Sequence, residues 1–434
     1  MNSEHRRLSP DYPRIHRLDW LLIFGFVLSP MTGLRIWKIG PAETLTLAWV
    51  VLTLLPSISG NKVSRSNRWI AIYWIFFLVC AITGALICVT ILPLQAQPSG
   101  LLTWIYFAIV STGVLIGCSH RTRPYLERLL VTASATATLW YAGLYLVGLR
   151  MPTFLGAPLW YESSHRFTGG ADNPHQLALL LSVLLFVTVR TLWKKHSVRQ
   201  RLLGAGLITI ILLLGASTDV SSFWVAIGIP LGLLPFFVKS RFLPSMTHRV
   251  AMSFVMLPFF VLVWVLVGMN DHLWAFVESD PNGLGRLELW ASFGDTLNAS
   301  PLFGLGPGTH GQGGTIEYHS AYLEIMAMTG IIGLAIFLWF TIQCFQRIWT
   351  DPTLMAVVLP LYVYGLSGFT VRRLAFWITL MIVVAIGQST RDETACRAPL
   401  SALKRRAPRQ ASRGAHGARD VRFHLPIQSQ GWGQ

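Results

Sequence analysis

Residues 69–92 read WIAIYWIFFLVCAITGALICVTIL, a run without a single charged side chain. A helix crosses the hydrocarbon core of a bilayer in roughly 20 residues, because no water is present there and each backbone N–H and C=O must be satisfied inside the segment. The run therefore predicts a membrane-spanning helix. Before it stands NKVSRSNR, with Lys62, Arg65 and Arg68, and after it residues 93–99 carry no charge. Basic loops are retained in the cytoplasm, so the run enters from inside and leaves outside.

The same pattern extends in both directions. About twelve segments meet the length criterion, near residues 18–37, 41–59, 69–92, 100–118, 128–148, 175–190, 202–217, 220–238, 251–269, 321–344, 354–370 and 374–389. The first carries a kink signal at Ser29-Pro30 and no small-residue cleavage site after it, and reads as a retained helix behind the basic N-terminus (Arg6, Arg7, Arg14, Arg17). Alternation puts the loops with Arg121 and Arg123, with Lys194 to Arg201, with Lys239 to Arg249, and with Arg347 inside. The turn at Ser217 to Asp219 falls outside. So do the long loops at about 149–174 and 270–319. Arg372 and Arg373 also fall outside, and break the charge rule.

The composition agrees: 12% of residues are charged and 53% hydrophobic, where a soluble domain is about 25% charged. The expected fold is an all-α polytopic membrane protein, residues 1–390, followed by a basic tail, residues 391–434, too polar to bury a core and read as a disordered cytoplasmic segment. Lys404, Arg405, Arg406 and Arg409 in that tail suit anionic headgroups or simple topogenic charge. The net charge of +16 lies in short loops rather than on one face, which argues against nucleic acid. Four cysteines lie in or beside apolar segments and none forms a CxxC pair, so no disulfide framework or zinc site is expected.

Two long loops on one side place the chemistry there. The first contains RFTGGADNPH, residues 166–175, in which Asn173 and Pro174 suit an N-cap and first helical position, while Arg166 suits either lipid headgroups or an anion. In the second, Arg286 and Trp290 share a helical face, as an interface anchor or as a guanidinium beside the membrane for a phosphate group. The glycines at 304, 306, 308, 311, 313 and 314 fit tight turns, and also fit a backbone that presents N–H groups to an anion. His319 closes the loop just before the next helix, near Glu317, Tyr322 and Glu324, and reads either as an interfacial group or as a general base near neutral pH. Gly330 and Gly333 permit close packing of that helix.

Taken together, Arg286, Trp290, Ser300-Pro301, Gly304-Leu305-Gly306, His319, Tyr322-Leu323 and Gly330 to Gly333, with Arg166-Phe167-Thr168-Gly169 and Asn173-Pro174-His175 in the first loop, resemble the O-antigen ligase and O-antigen polymerase-like membrane proteins. The resemblance implies an inner-membrane, metal-independent, inverting glycosyltransferase without a cofactor, its site facing the periplasm and both termini cytoplasmic. The donor would be an undecaprenyl-diphosphate-linked glycan and the acceptor a lipid A-core or another glycan. His319 would be the base, Arg286 the diphosphate ligand and Arg166 a helper, supported by Trp290, Gly304, Gly306 and Tyr322. Two positions depart from the family pattern: Ser320 stands where asparagine is usual, and Ser221-Ser222 where Ser-Arg is usual. Ligase and polymerase share these motifs, as does protein O-glycosylation. A lipid-linked sugar transporter would instead require ionisable groups near the membrane midplane, where the apolar segments carry almost none.

Overall fold

A computed structural model describes residues 14–35, 39–58, 67–90, 98–161, 165–194, 197–237, 293–308, 318–349, 351–366, 368 and 370–406. Among them the chain is overwhelmingly helical: α1 Asp19–Leu28, α2 Pro41–Ile58, α3 Arg68–Thr90, α4 Pro98–Ser119, α5 Arg123–Gly148, α6 Pro174–Lys194, α7 Val198–Ser217, α8 Ser221–Phe237, α9 Phe293–Ala299, α10 Ala321–Ile348, α11 Pro352–Tyr364 and α12 Leu374–Arg406. Six are long and apolar enough to cross a bilayer, and five more are apolar but shorter. Eleven of the twelve expected segments thus coincide with an apolar helix, and the polytopic all-α fold is the observed one. The remaining segment, 251–269, lies outside the described residues.

The differences have local causes. The first segment does not continue through its kink: α1 ends at Leu28, Ser29 Oγ donates to Phe26 O at 2.7 Å, and the chain enters a 3-10 turn at Thr32–Leu34. Pro30 has no N–H to extend the helix, and Ser29 occupies a carbonyl the helix would have used. The eleventh segment stops at Tyr364, short of residue 370. The loop at 149–174 holds two short hairpins, β1 Thr153–Phe154 with β2 Ala157–Pro158, and β3 Trp160–Tyr161 with β4 Arg166–Phe167. Leu155 and Gly156, both at positive φ, make the tight turn of the first. Such two-residue strands carry no period-2 pattern long enough to read. Finally, α12 runs on to Arg406, beyond residue 391, where the sequence suggests that ordered structure ends.

Burial ranks the helices. In α6, 78% of the apolar stretch is inside the protein, against 22% in α7, so α6 is central and α7 peripheral. Lipid tails are as apolar as leucine, so packing and interhelical hydrogen bonds, not water exclusion, hold such helices together. An aromatic cluster does this between α3, α4, α10 and α12. Tyr73 stacks on Phe340 with centroids 4.2 Å apart, and Trp74 lies 4.9 Å from Trp377. Trp74 Nε1 donates to Ser111 Oγ and Trp377 Nε1 to Val371 O, each at 2.8 Å, so both buried indoles are satisfied.

The loops sort onto two faces. On the face of the loops expected inside, Asp19, fully buried, accepts from Arg121 Nη1 at 2.5 Å and Trp49 Nε1 at 2.9 Å, and Tyr125 also bonds to it. Arg190 donates to Asp351 at 3.0 Å and Glu127 at 2.8 Å, and Arg123 joins both carboxylates, tying α5, α6 and α11. Arg347 lies over the Trp69 ring at 4.1 Å. On the opposite face, Arg166 meets Asp219, Gly33 N donates to Gly170 O, and Ala321 N donates to Gly365 O. In each of these contacts the loops that touch are ones expected on the same side.

Breaking one partner of a buried ion pair leaves the other uncompensated. Arg190→Met is accordingly expected to cost about 3 kcal/mol, read as a lowered melting temperature of the detergent-solubilised protein. Melting at the wild-type temperature would reduce Arg190 to a topogenic charge.

Candidate active site around His319

His319 is placed by its neighbours. Tyr318 is buried, its hydroxyl 2.6 Å from Thr296 Oγ1 and its ring edge-on to Phe293 at 5.4 Å, which pins the loop to α9. On the other side Ser320 takes an extended backbone as the N-cap of α10, and Ala321 N donates to Gly365 O at 2.8 Å. Between these anchors His319 adopts φ 50, in the left-handed region. That conformation costs an L-residue roughly 1–2 kcal/mol, and such residues gather at functional sites because surrounding structure must hold them there. His319 is half-buried, next to a helix start rather than inside one.

Below it the helix is broken. Gly330, at φ 66 and ψ −169, divides α10 within its apolar stretch. A break in a spanning helix strands carbonyls before it and N–H groups after it, which the membrane cannot satisfy. The segment 300–306 satisfies them. Leu305 N donates to Ala327 O at 2.8 Å and Gly306 N to Met328 O at 3.0 Å, while Ile331 N donates to Pro301 O at 2.9 Å and Ile332 N to Leu302 O at 3.3 Å. Gly304 N, in turn, donates to Ser300 O at 2.9 Å. The glycine-rich turn thus plugs the break, and the N–H groups of residues 304–306 face protein carbonyls. An anion cradle from Gly304 and Gly306 is not what this stretch builds. It supports His319 indirectly, by holding the first third of α10.

Other sequence candidates gather on the same face. Tyr322 OH donates to Tyr362 O at 3.3 Å and ties α10 to α11. Arg166 Nε donates to Asp219 Oδ2 at 3.2 Å, with 38% and 76% of the two side chains exposed, so solvent screens the pair and it is worth little. Asp219 lies just before α8, so Arg166 reaches toward Ser221-Ser222, where the resemblance misses its arginine. Asn173 Oδ1 accepts from His175 N at 2.9 Å, the expected N-cap. Arg286 and Trp290 lie outside the described residues, as do Glu317 and the glycines at 311, 313 and 314.

The structure adds two side-chain pairs to which motif reading gave no role. His175 Nδ1 lies 3.0 Å from Tyr364 OH, and the same hydroxyl donates to His175 O at 3.0 Å. One hydroxyl thus holds both the ring nitrogen and the backbone carbonyl of His175. Glu324, fully buried in the first turn of α10, accepts from Arg372 Nη2 at 2.6 Å. The one sequence signal for this pair was the breach of the charge rule at Arg372 and Arg373.

Residues 207–338 match the family model described as O-antigen ligase. The match runs from α7 through the plugged break of α10 and includes His319. Among curated proteins, none matches the chain. The apolar helices make this a membrane protein, and its O-antigen ligase region supports a function of the O-antigen ligase or polymerase type. Among the described residues the buried carboxylates and guanidiniums are Asp19, Arg190 and Glu324, each in or near a terminal turn of its helix.

Proposed function

We propose that the chain transfers a glycan from undecaprenyl diphosphate to an acceptor sugar, with His319 as general base, at the periplasmic side of the bacterial inner membrane. The observation that carries this reading is the strained His319, held between two anchors inside the O-antigen ligase region and on the face that also collects Arg166 and the Asn173–His175 helix start. A ring nitrogen of His319 takes the proton of the acceptor hydroxyl as its oxygen attacks the anomeric carbon. The bond from that carbon to the diphosphate oxygen breaks, and the lipid diphosphate leaves with the electron pair. A single displacement inverts the anomeric centre. Diphosphate is a stable anion at neutral pH, so the leaving group needs cations rather than a proton, and Arg286 and Arg166 serve as these. No metal is required by this scheme. Both termini lie in the cytoplasm, as the basic loops dictate.

Ligase activity is the preferred form of this reading, with polymerase activity as the alternative, since both types share the matched motifs. Complementation separates them. In strains lacking one or the other, restoration of polysaccharide attached to lipid A-core on a gel identifies a ligase, and restoration of the length ladder from single repeats identifies a polymerase. No restoration in either strain sinks the proposal. Arg286→Lys is expected to lower turnover at least tenfold, because lysine keeps the charge but loses the planar fork that binds two phosphate oxygens at once. Wild-type turnover in that variant would return Arg286 to the role of an interface anchor.

A further inference from the structure

Arg372 and Arg373 stand on the connection that follows α11, and that connection closes over the start of α10 through Ala321 N to Gly365 O. Arg372 Nη2 is bonded to Glu324 Oε1 at 2.6 Å, with 20% of the arginine side chain exposed and none of the glutamate. Arg373, half-buried, donates its backbone N–H to Thr370 O at 2.9 Å. With the Gln176 amide turned so that its oxygen faces Arg373, Nη1 donates to it at 3.0 Å, and the amide nitrogen reaches Thr32 Oγ1 and Pro30 O. Gln176 follows His175 directly, and Glu324 lies five residues after His319. The two guanidiniums therefore sit between the two histidine-bearing helix starts.

A buried ion pair roughly breaks even against a well-packed apolar contact, so fastening α10 to this connection does not call for one. What the pair does provide is orientation. Arginine offers five N–H donors in a rigid plane, and a buried carboxylate that holds one edge fixes the direction of the rest. Its partly exposed remainder, with a second guanidinium on the next residue beside a neutral amide, is suited to bidentate recognition of phosphoryl oxygens.

We propose that Arg372 and Arg373 form a phosphoryl-binding subsite for the diphosphate of the lipid-linked donor. The identity of the ligand rests on the glycan-transfer reading. The subsite supplies a cation on the face where the chain lacks one at Ser222, and α8, which begins there, packs against α11, which leads into this connection.

The test measures binding to the full-length protein in detergent, with undecaprenyl diphosphate, inorganic pyrophosphate and phosphatidylglycerol as separate probes. Arg373→Gln leaves the ion pair intact, and the double variant Arg372→Gln with Glu324→Gln removes both of its charges. Each is expected to keep the wild-type melting temperature and to weaken undecaprenyl diphosphate binding at least tenfold, with phosphatidylglycerol unaffected. Unchanged undecaprenyl diphosphate affinity in Arg373→Gln overturns the subsite, and so does an equal loss of phosphatidylglycerol binding. Arginine-dependent binding of inorganic pyrophosphate alone overturns the lipid as its source. Should the double variant fail to fold, Arg373→Gln decides by itself. Arg373-dependent binding by a protein that transfers no glycan would keep the subsite and remove the glycan-transfer reading; wild-type kcat and KM in both variants would do the reverse.

Discussion

His319→Ala is expected to abolish glycan transfer, by at least about a hundredfold given that a positioned general base contributes 10²–10⁴ in rate, while the protein is produced and melts as wild type. The backbone supplies the control. His319 occupies the left-handed region, which asparagine also tolerates better than most residues, so His319→Asn keeps the local geometry and removes the base. Its loss of activity should equal that of alanine. His319→Gly relieves the strain and should be slightly more stable and equally inactive. Transfer by purified His319→Asn within tenfold of wild type would show that the residue shapes the loop and performs no proton transfer. His175→Ala separates the two histidines: its Nδ1 is engaged by the Tyr364 hydroxyl, and it is expected to lower activity less than His319→Ala does.

Gly330→Ala is expected to be the most destabilising small substitution in the described residues. At φ 66 and ψ −169 the backbone is in a region that essentially only glycine enters, which by itself costs about 1–3 kcal/mol for another residue. A Cβ there would also stand 2.1 Å from Leu302 O. Relief requires the plug to move, and with it four backbone hydrogen bonds between residues 301–306 and α10, each worth about 1 kcal/mol when satisfied and more when left unmade in a membrane interior. The measurement is the melting temperature and monodispersity of the detergent-solubilised protein. Gly143→Ala is the matched control, because a Cβ there meets nothing within 4 Å, and alanine is the better helix former. Equal melting of Gly330→Ala and Gly143→Ala would mean that α10 tolerates a continuous helix and that the plug is dispensable.

Much of the architecture was legible without coordinates. The spans could be read because the bilayer sets a length of roughly 20 residues and forbids unsatisfied backbone, a demand each segment must meet on its own. The pairing of loops on each face followed from the placement of lysine and arginine, and contacts such as Arg166 with Asp219 bear it out. The hairpins at 153–167 and the early end of α1 were not legible in the same way, because two-residue strands and a proline stop depend on single local contacts, not on a pattern. Within the site, His319 stood out by position and by motif. The function of the glycine turn did not, since glycine suits an anion cradle and a tight plug equally.

By itself the sequence determined that the chain spans a membrane many times and where its polar loops lie, because those properties depend on composition within short windows and on the solvent around them. Only the tertiary structure decided that residues 300–306 complete a helix broken about 25 positions later, and that Arg372 reaches Glu324 across 48 positions. Each of these is a partnership between groups that must leave water together, and a partner of that kind is chosen by which helices pack side by side, not by any spacing along the chain.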